Sequence, residues 1–423
     1  MKKAILIVSI VILLFLALLY WSLSSTAKVF ETPKIVGVDD ISNVNFKDYD
    51  SIYIKASTLY KADEIKKIMQ GEQYRKAWST SVKVPIVFLD TLNGGMKIIK
   101  EGGGKQTHSL KLESRKGIRY TLRGINKDPK ALIPEYAKTF GLENIIVDGI
   151  SAQHPYAAVV VAELANQANI LHTSPEIFFV PKQKALDKYN EKYGNRLFLL
   201  EYETESKVNW TNYKNVSEIL ETEELQELKK ELKEKLSIDK KELIRVRLFD
   251  LLIGDWDRHS KQWGWAIEKI EGNYLAHPIA GDRDNAFFNV DGIIPTLMSN
   301  EYVVPELRPF TKEINFLPGL VYPFDRYFLY NTEEELFIDE AKKLQELLND
   351  EVIYKSLKKW PKEIYDLDGE SIALKIINRR KELIDYAIGF KKIIDKKGFL
   401  QEPLKGSEDL NLETSLSKCF ECQ

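Results

Sequence analysis

Residues 251–263 read LLIGDWDRHSKQW, and in this stretch an apolar run stops at a group of polar and charged residues. Apolar side chains recur at helical spacing over residues 238–254, which predicts a helix that ends at Gly254. A loop that leaves such a helix is held by a rigid element, and it is therefore a suitable place for functional side chains. The polar side chains of this loop belong to Asp255, Asp257, Arg258, His259 and Gln262.

A second acidic loop follows residues 263–279, which predict a β-hairpin with Gly272 and Asn273 at its turn. This loop reads AGDRDNAFF and contains Asp282 and Asp284. One acidic loop alone is more often a solvated turn or a helix cap. Two such loops, separated by one hairpin and interleaved with tryptophans, favour a shared site.

Loops of this kind suit phosphoryl transfer. That reaction needs a carboxylate to orient the attacking hydroxyl, and oxygen or amide ligands for Mg²⁺ or Mn²⁺ on the phosphates. The two loops supply both kinds of group. Metal-dependent hydrolysis of a phosphodiester is a weaker alternative, because only His259 and His277 of the five histidines lie near the cluster.

Residues 97–128 predict three strands, with the triple glycine Gly102-Gly103-Gly104 in the first turn. Glycines let backbone N–H groups approach phosphate oxygens closely. The segment is not a Walker A loop, because Gln106 follows Lys105 and a further strand follows that. A triple glycine alone is more often a plain loop, and it gains weight here from the acidic loops downstream.

Arg123 lies in the third of these strands and faces away from the side of Leu122, so we expect it to reach an α- or β-phosphate. A surface arginine is the alternative. Asp148 and Glu163 are both candidates for its carboxylate partner, and the sequence does not choose between them. Further on, an apolar strand that ends in Glu201 predicts a connector whose backbone can pair with a purine edge.

The N-terminus predicts a membrane segment. Lys2 and Lys3 precede an apolar run from Ala4 to Trp21, which is nearly long enough to span a bilayer. The two lysines favour a cytoplasmic N-terminus and an exported remainder, periplasmic or extracellular. A cleavable signal followed by secretion is the alternative.

The bulk composition is that of a globular protein, with 423 residues, 44% of them hydrophobic and 29% charged. The net charge of −2 provides no basic field, so nucleic acid is not an expected partner. Cys419 and Cys422 form one CxxC pair, which cannot complete a structural zinc site. We expect them in a mobile tail, with a small disulfide or a redox pair as alternatives.

Several of these motifs resemble known kinases. The stretch FDLLIGDWDRHSKQW resembles the DRH loop of the secretory-pathway kinases of the Golgi casein kinase type, of phosphoinositide kinases and, more distantly, of HipA-like kinases. GDRDNAF is similar to the metal-binding loop of the spore-coat CotH kinases, and EIFFVP with RLFLLEYETE is similar to their interlobe strand. The same stretch also resembles bacterial envelope proteins. The resemblance covers about residues 95–390 and is most specific in the two loops.

This resemblance implies an α+β, bilobal, protein-kinase-like fold with a β-rich N-lobe and a mostly helical C-lobe, preceded by one transmembrane helix. The expected segments are a membrane anchor or signal at 1–27, a tether and N-terminal extension at 28–90, an N-lobe at 91–205, a C-lobe at 206–400 and a flexible tail at 401–423.

The resemblance also implies roles for single residues. Asp257 matches the catalytic aspartate, with Arg258 and His259 beside it, and Asp282 matches a metal-binding aspartate with Asp284 as its rival. Gln262 stands where these kinases place a metal-binding asparagine. With Arg123 in the place of the usual phosphate-binding lysine, the candidate nucleotide-binding residues are Gly102, Gly103, Gly104, Lys105, Arg123, Asp148 and Glu201.

The implied activity is an ATP-dependent and Mg²⁺- or Mn²⁺-dependent phosphotransferase at the cell envelope, acting on a protein, glycan, lipid or small-molecule acceptor. Two departures, glutamine at 262 and arginine in place of the usual phosphate-binding lysine at 123, leave two alternatives open. One is an inactive pseudokinase scaffold, and the other is a nucleotidyl (AMP) transferase on the same fold.

Overall fold

The computed structural model describes residues 1–24, 33–38, 40–103, 107–128 and 133–422. The fold is mixed α+β, with an apolar helix first, two sheets next, and a helix-rich half that contains a third sheet. Gly104 and Lys105, both predicted to bind nucleotide, lie outside the described residues.

The described residues form three sheets. The first has the strand order β1-β2-β3, the second β4-β5-β6-β8-β7, and the third β10-β12-β11-β9, once the strands are numbered along the chain. The second sheet is antiparallel throughout. The strands are β1 (Lys34–Ile35), β2 (Ser51–Lys55), β3 (Ser81–Pro85), β4 (Met96–Gly102), β5 (Ser109–Ser114), β6 (Arg119–Gly124), β7 (Glu176–Val180), β8 (Arg196–Tyr202), β9 (Val216–Glu221), β10 (Leu236–Ile238), β11 (Trp263–Ile270) and β12 (Asn273–Ala280).

Most of the α-helices follow the second sheet and form the helix-rich half. The helices are α1 (Lys2–Ser24), α2 (Glu64–Gln70), α3 (Arg75–Ser79), α4 (Glu135–Thr139), α5 (Glu143–Gly149), α6 (Ala157–Gln167), α7 (Asn190–Tyr193), α8 (Thr222–Leu232), α9 (Lys240–Ile253), α10 (Ile293–Met298), α11 (Pro323–Leu329), α12 (Glu334–Leu347), α13 (Asp350–Leu357), α14 (Lys362–Ile364), α15 (Glu370–Lys381), α16 (Leu383–Lys397) and α17 (Thr414–Lys418).

Alternation along the second sheet places apolar and polar side chains on opposite faces. Leu110, Leu112 and Leu122 are fully buried in a core of their own on one face. The intervening residues Lys111 and Arg123 therefore lie on the other face, because successive side chains in a strand point to opposite sides. That polar face borders the candidate site.

Helix α9 is the central element of the helix-rich half. Every residue from Leu243 to Ile253 is buried, so α9 is enclosed on all sides and does not present one apolar stripe to a core. It ends at Gly254, as the sequence predicts, in the left-handed conformation with φ of 66° and ψ of 33°. The end of α9 thus fixes where the first acidic loop begins.

The hairpin between the two acidic loops is also present, as β11 and β12. Its turn lies one residue earlier than predicted, because Ile270 pairs with Asn273 and leaves Glu271 and Gly272 as the two-residue loop. Both loop residues have positive φ, which is what a type I′ hairpin turn requires.

Two segments are more ordered than the sequence indicates. Residues 28–90, predicted as a tether and extension, contain β1 to β3 with α2 and α3 in their described part. The predicted flexible tail packs on the helix-rich half, where Leu404, Leu416 and Phe420 are buried and Tyr327 donates a hydrogen bond to the Leu416 carbonyl. Apolar residues in the tail explain this docking. Cys419 and Cys422 form a disulfide.

We predict that Gly254→Ala destabilises the chain more than Gly141→Ala does. Both glycines have φ of 66°, so alanine costs about 1–2 kcal/mol of backbone strain at either position. An added Cβ at Gly254 would lie 2.6 Å from Phe310, whereas nothing lies within 4 Å at Gly141. Overpacking should therefore add about 1–3 kcal/mol at Gly254 alone. Urea unfolding of the full chain in detergent measures the difference, and equal losses would contradict the packing argument.

Candidate active site

The polar face of the second sheet and the two acidic loops enclose a cavity of about 360 Å³. Its lining brings together five of the residues that the sequence singles out, namely Gly103, Arg123, Glu201, Gln262 and Asp282. Gly102 ends β4 beside this cavity and pairs with Ser109. Gly103 at the start of the glycine turn, Arg123 on β6 and Asp282 of the second acidic loop therefore lie in one cleft.

Arg123 joins the sheet to the second acidic loop. Its Nε donates to Glu201 Oε1 at 2.9 Å, and its Nη1 donates to Asp282 Oδ2 at 3.0 Å. Burial lowers the pKa of Arg123, but the carboxylates of Asp282 and Glu201 outweigh burial, so the pKa lies above its ordinary value. The guanidinium is charged and fixed between two anions.

Neither carboxylate that the sequence offers as a partner for Arg123 contacts it. Asp148 is buried and pairs with Arg75 and, at 3.0 Å, with Lys66. Glu163 lies 3.7 Å from Lys359. The reason is the packing of α5, which carries Asp148 and lies against α2, so Asp148 compensates the buried cations of α2 and α3 and does not line the cleft cavity.

Glu201 acts through its side chain, whereas the sequence indicated a role for its backbone. Its carboxylate accepts hydrogen bonds from Arg123 and, at 2.6 Å, from Thr173 Oγ1. Burial raises the pKa of Glu201, and the negative charge of Asp282 also raises it, against the opposing effect of Arg123. The backbone just after β8 is not free to pair with a purine either, because the Glu203 carbonyl accepts a hydrogen bond from Trp210 Nε1 at 3.1 Å.

Asp250 on α9 binds both acidic loops to the helix. Its carboxylate is fully buried and accepts from Arg247 at 2.8 Å, from Arg258 of the first loop at 3.1 Å and from Arg283 of the second loop at 3.2 Å. Burial raises the pKa of Asp250, but the three guanidiniums outweigh it and hold the pKa below its ordinary value. Asp250 was not singled out from the sequence, where it lies inside the apolar helix.

Arg258 is a positioning residue in this structure. It is fully buried, and its Nη1 donates to Gln262 Oε1 at 3.1 Å and to the Gly281 carbonyl at 2.8 Å. Its guanidinium also stacks on the ring of Trp263 at 4.7 Å. Because Gln262 Oε1 accepts from a cation, this hydrogen bond competes with the metal-binding role that the sequence suggests for Gln262.

His259 lies beside Asp257, with its Nε2 3.9 Å from Asp257 Oδ1. Burial and the nearby cations Lys405 and Arg258 lower the pKa of His259 to about 4, so the imidazole is neutral at neutral pH. Its Nδ1 accepts from the Lys261 backbone N–H, which places the ring proton on Nε2, towards Asp257.

The carboxylates of Asp257, Asp282 and Asp284 share one electrostatic region. Burial raises the pKa of Asp257, and repulsion from Asp282 raises it further. Burial and repulsion from Asp282 also raise the pKa of Asp284. Asp284 Oδ2 accepts a hydrogen bond from Lys127. Burial also raises the pKa of Asp282, but Arg123 and Lys127 outweigh it and lower the pKa overall.

This region has features that fit a divalent cation. Asp282 Oδ1 is buried and has no hydrogen-bond partner in the described structure, so one charged oxygen is free to ligate. The fit is incomplete without phosphate, because these carboxylates do not form a compact triad of ligand atoms. In the described ranges such a triad occurs only at Asp239, Glu242 and His277. A cation that takes most of its ligands from phosphate and water, as Mg²⁺ does, suits this geometry.

The structure also reveals two lysines that the sequence analysis missed. Lys111 on β5 points into the cleft, where it contacts the carboxylate of Glu203 and lies 3.1 Å from Thr121 Oγ1. Alternation with the buried leucines on either side was a usable signal for Lys111. Lys127 follows β6 and pairs with Asp284, and no local pattern marks it.

No family model matches the sequence, and no curated protein matches it. Solved structures match at low similarity, and two of them serve as examples. The Helicobacter pylori proinflammatory kinase CtkA matches with a TM-score of 0.35 and 13% identity, over 70% of this chain and 96% of CtkA. HipA of the Shewanella oneidensis MR-1 toxin–antitoxin system, solved with HipB and operator DNA, matches with a TM-score of 0.30 and 11% identity, over 75% of this chain and 68% of that chain. At these scores the likeness carries no functional argument, so function has to be argued from the cleft.

We predict that Asp250→Asn lowers stability strongly. Asparagine keeps the shape but removes the charge that compensates Arg258 and Arg283, and removing one partner of a buried ion pair costs about 3–5 kcal/mol. Thermal unfolding of the full chain in detergent measures the loss. The control is Asp385→Asn, an exposed site where we expect a change within about 0.5 kcal/mol. Similar melting temperatures for the two variants would show that Asp250 does not hold the loops.

Proposed function

We propose that this chain is an ATP-dependent, divalent-metal-dependent phosphotransferase with a kinase-like arrangement of two lobes. The second sheet, within residues 91–205, would be the N-lobe, and the helix-rich half, within residues 206–400, would be the C-lobe. The observation that carries the proposal is the ion pair between Arg123 and Asp282. It joins the strand that follows the glycine hairpin to the second acidic loop, at the point where a cation and a phosphate chain would have to meet.

In this proposal residues in the cavity lining and residues beside it have defined tasks, and Asp257, His259 and Asp284 are among those beside it. Asp257 accepts a hydrogen bond from the attacking hydroxyl, and neutral His259 keeps a proton on the nitrogen that faces Asp257. Asp282, with Asp284 beside it, would hold Mg²⁺ or Mn²⁺, and the bound cation would neutralise charge on the phosphates. Arg123 and Lys111 add fixed positive charge in the cavity that Gly103 also lines.

The proposal places this activity at a membrane. Helix α1 is long and apolar enough to cross a bilayer, with a mean hydropathy of 2.9, and its residues 2–14 are exposed. Lys2 and Lys3 favour a cytoplasmic N-terminus, which would export the cleft to the periplasmic or extracellular side. A protein, glycan, lipid or small molecule with a free hydroxyl would be the acceptor.

A pseudokinase scaffold is the second candidate, and the ion pairs of the cleft favour it. Arg123 pairs with Glu201 and Asp282, Lys111 with Glu203, and Lys127 with Asp284. A cleft whose cations and anions neutralise one another is stable without a ligand. Nucleotide would have to replace some of these contacts, so nucleotide binding separates the two candidates.

We predict that ATP with Mg²⁺ raises the melting temperature of the full chain and that Asp282→Asn abolishes the Mg²⁺-dependent part. Ligand at about 100 times its Kd stabilises a protein by about 2.7 kcal/mol, and the variant loses the charged oxygen that would ligate the cation. Thermal shift with and without metal measures both effects, and Asp385→Asn is the matched control. A wild-type chain that shows no shift with any nucleotide and metal would support the scaffold.

Asp257→Asn should separate stability from catalysis. Because burial and Asp282 raise the pKa of Asp257, its ionised form opposes folding. This penalty is absent below the ordinary pKa of aspartate and complete above the raised pKa. The variant should therefore melt at a higher temperature than wild type at pH 7, and the gain should shrink as the pH falls through the raised pKa.

The same variant should transfer label from γ-labelled ATP about 10²–10⁴ times more slowly than wild type. Asp385→Asn should match wild type in melting temperature and in rate. A variant without a stability gain at neutral pH would contradict the electrostatic argument. Transfer from α-labelled but not γ-labelled ATP would instead assign the site to nucleotidyl transfer.

A further inference from the structure

Helix α1 does not leave the folded chain as a free stalk. Its last turns pack on the domain, where Leu19 and Leu23 are buried in a small apolar cluster with Met69 of α2 and Ile294 of α10. Polar contacts fix the same end, since Tyr20 Oη donates to the Phe140 carbonyl at 2.9 Å. The part of α1 near the domain therefore has a fixed position on it.

The free part of α1 is too short to cross a bilayer by itself. From Ala4 to Leu14, the last residue before the packed Phe15, a helix measures about 16 Å at 1.5 Å per residue, whereas the hydrocarbon core is about 30 Å thick. Only the whole apolar helix through its docked end, residues 15–24, approaches that thickness. A bilayer that accommodates α1 without thinning would therefore reach the elements on which α1 is docked.

Those elements carry exposed apolar side chains. We call this set the collar, and it consists of Tyr136, Phe140, Leu297, Met298, Tyr302 and Val303. Their exposed fractions lie between 43% and 89%, the latter at Tyr302. The collar lies on α4, on α10 and in the segment that follows α10, the same region that α1 contacts. Exposed apolar residues scattered singly need no explanation, but a group around one helix does.

We propose that the collar is a lipid-facing surface, which enters the bilayer interface around α1 and fixes the orientation of the folded domain on the membrane. This inference rests on the membrane anchoring proposed for α1. Continuity with a membrane helix argues for lipid as the occupant, because the collar and the docked end of α1 would lie at one depth. Tyrosine and phenylalanine at this level fit the interfacial region, where amphipathic and aromatic rings are favoured.

The test uses the full chain in phosphatidylcholine nanodiscs, with a nitroxide on one introduced cysteine at a time. Cys419 and Cys422 are paired, so the introduced thiol is the free one in the described chain. The collar positions are Tyr302→Cys and Leu297→Cys. Leu13→Cys in α1 reports anchoring, and Leu374→Cys, exposed on α15, which carries no collar residue, is the matched control.

The measurement is the accessibility of each nitroxide to oxygen, which concentrates in lipid, relative to a water-soluble nickel chelate. We expect the ratio at Tyr302 and Leu297 to exceed that at Leu374 several-fold and to lie between the values at Leu374 and Leu13. Collar labels that match Leu374 while Leu13 reports lipid would overturn the collar and leave the anchor intact. Collar labels protected from both reagents would assign the surface to protein contact, which also overturns it. A Leu13 label in water would remove the anchor and the collar together.

Discussion

One buried carboxylate, Asp250, holds the candidate site in place. It lies in the last turn of a helix that is enclosed on all sides, and it accepts hydrogen bonds from three guanidiniums that come from α9 and from both acidic loops. Burying charge is costly, and only paired and hydrogen-bonded charges are tolerated there. Both loops are therefore held on α9 by the carboxylate of Asp250. Loss of its charge would leave the buried guanidiniums of Arg258 and Arg283 without compensation.

A second layer of charge connects these loops to the sheet. Arg123 bridges Glu201 of the sheet and Asp282 of the second loop, and Lys127 pairs with Asp284. The first layer is buried from solvent, whereas Arg123, Glu201 and Asp282 of the second layer line the cavity. Asp257 and Asp284 keep raised pKa values even so, because nearby cations do not fully offset burial and the charge of Asp282. A bound divalent cation would stabilise the charged forms of these carboxylates.

The site and the apolar helix α1 are connected by the fold. Helix α1 docks on α2 and α10, and α10 follows directly from the segment that begins with the second acidic loop. A chain anchored in this way would present its cleft at a fixed orientation and height above the lipid, which a flexible tether would not achieve. Acceptors confined to the same surface would then meet the cleft at a high effective concentration.

The sequence by itself determined the local features: the apolar N-terminal helix, the end of α9 at Gly254, the hairpin between the acidic loops and the alternation that turns Arg123 away from the leucines. Each depends on residues close together in the chain, through helical period, strand period or turn conformation. Only the tertiary structure decided which charges meet. Arg123 and Asp282 are 159 positions apart. Of the two candidate partners, Asp148 pairs with cations of α2 and α3, and Glu163 lies beside Lys359. Ion pairing depends on distance in space and on burial, which no local pattern encodes, and the same reason explains why the docked tail and Asp250 were not anticipated.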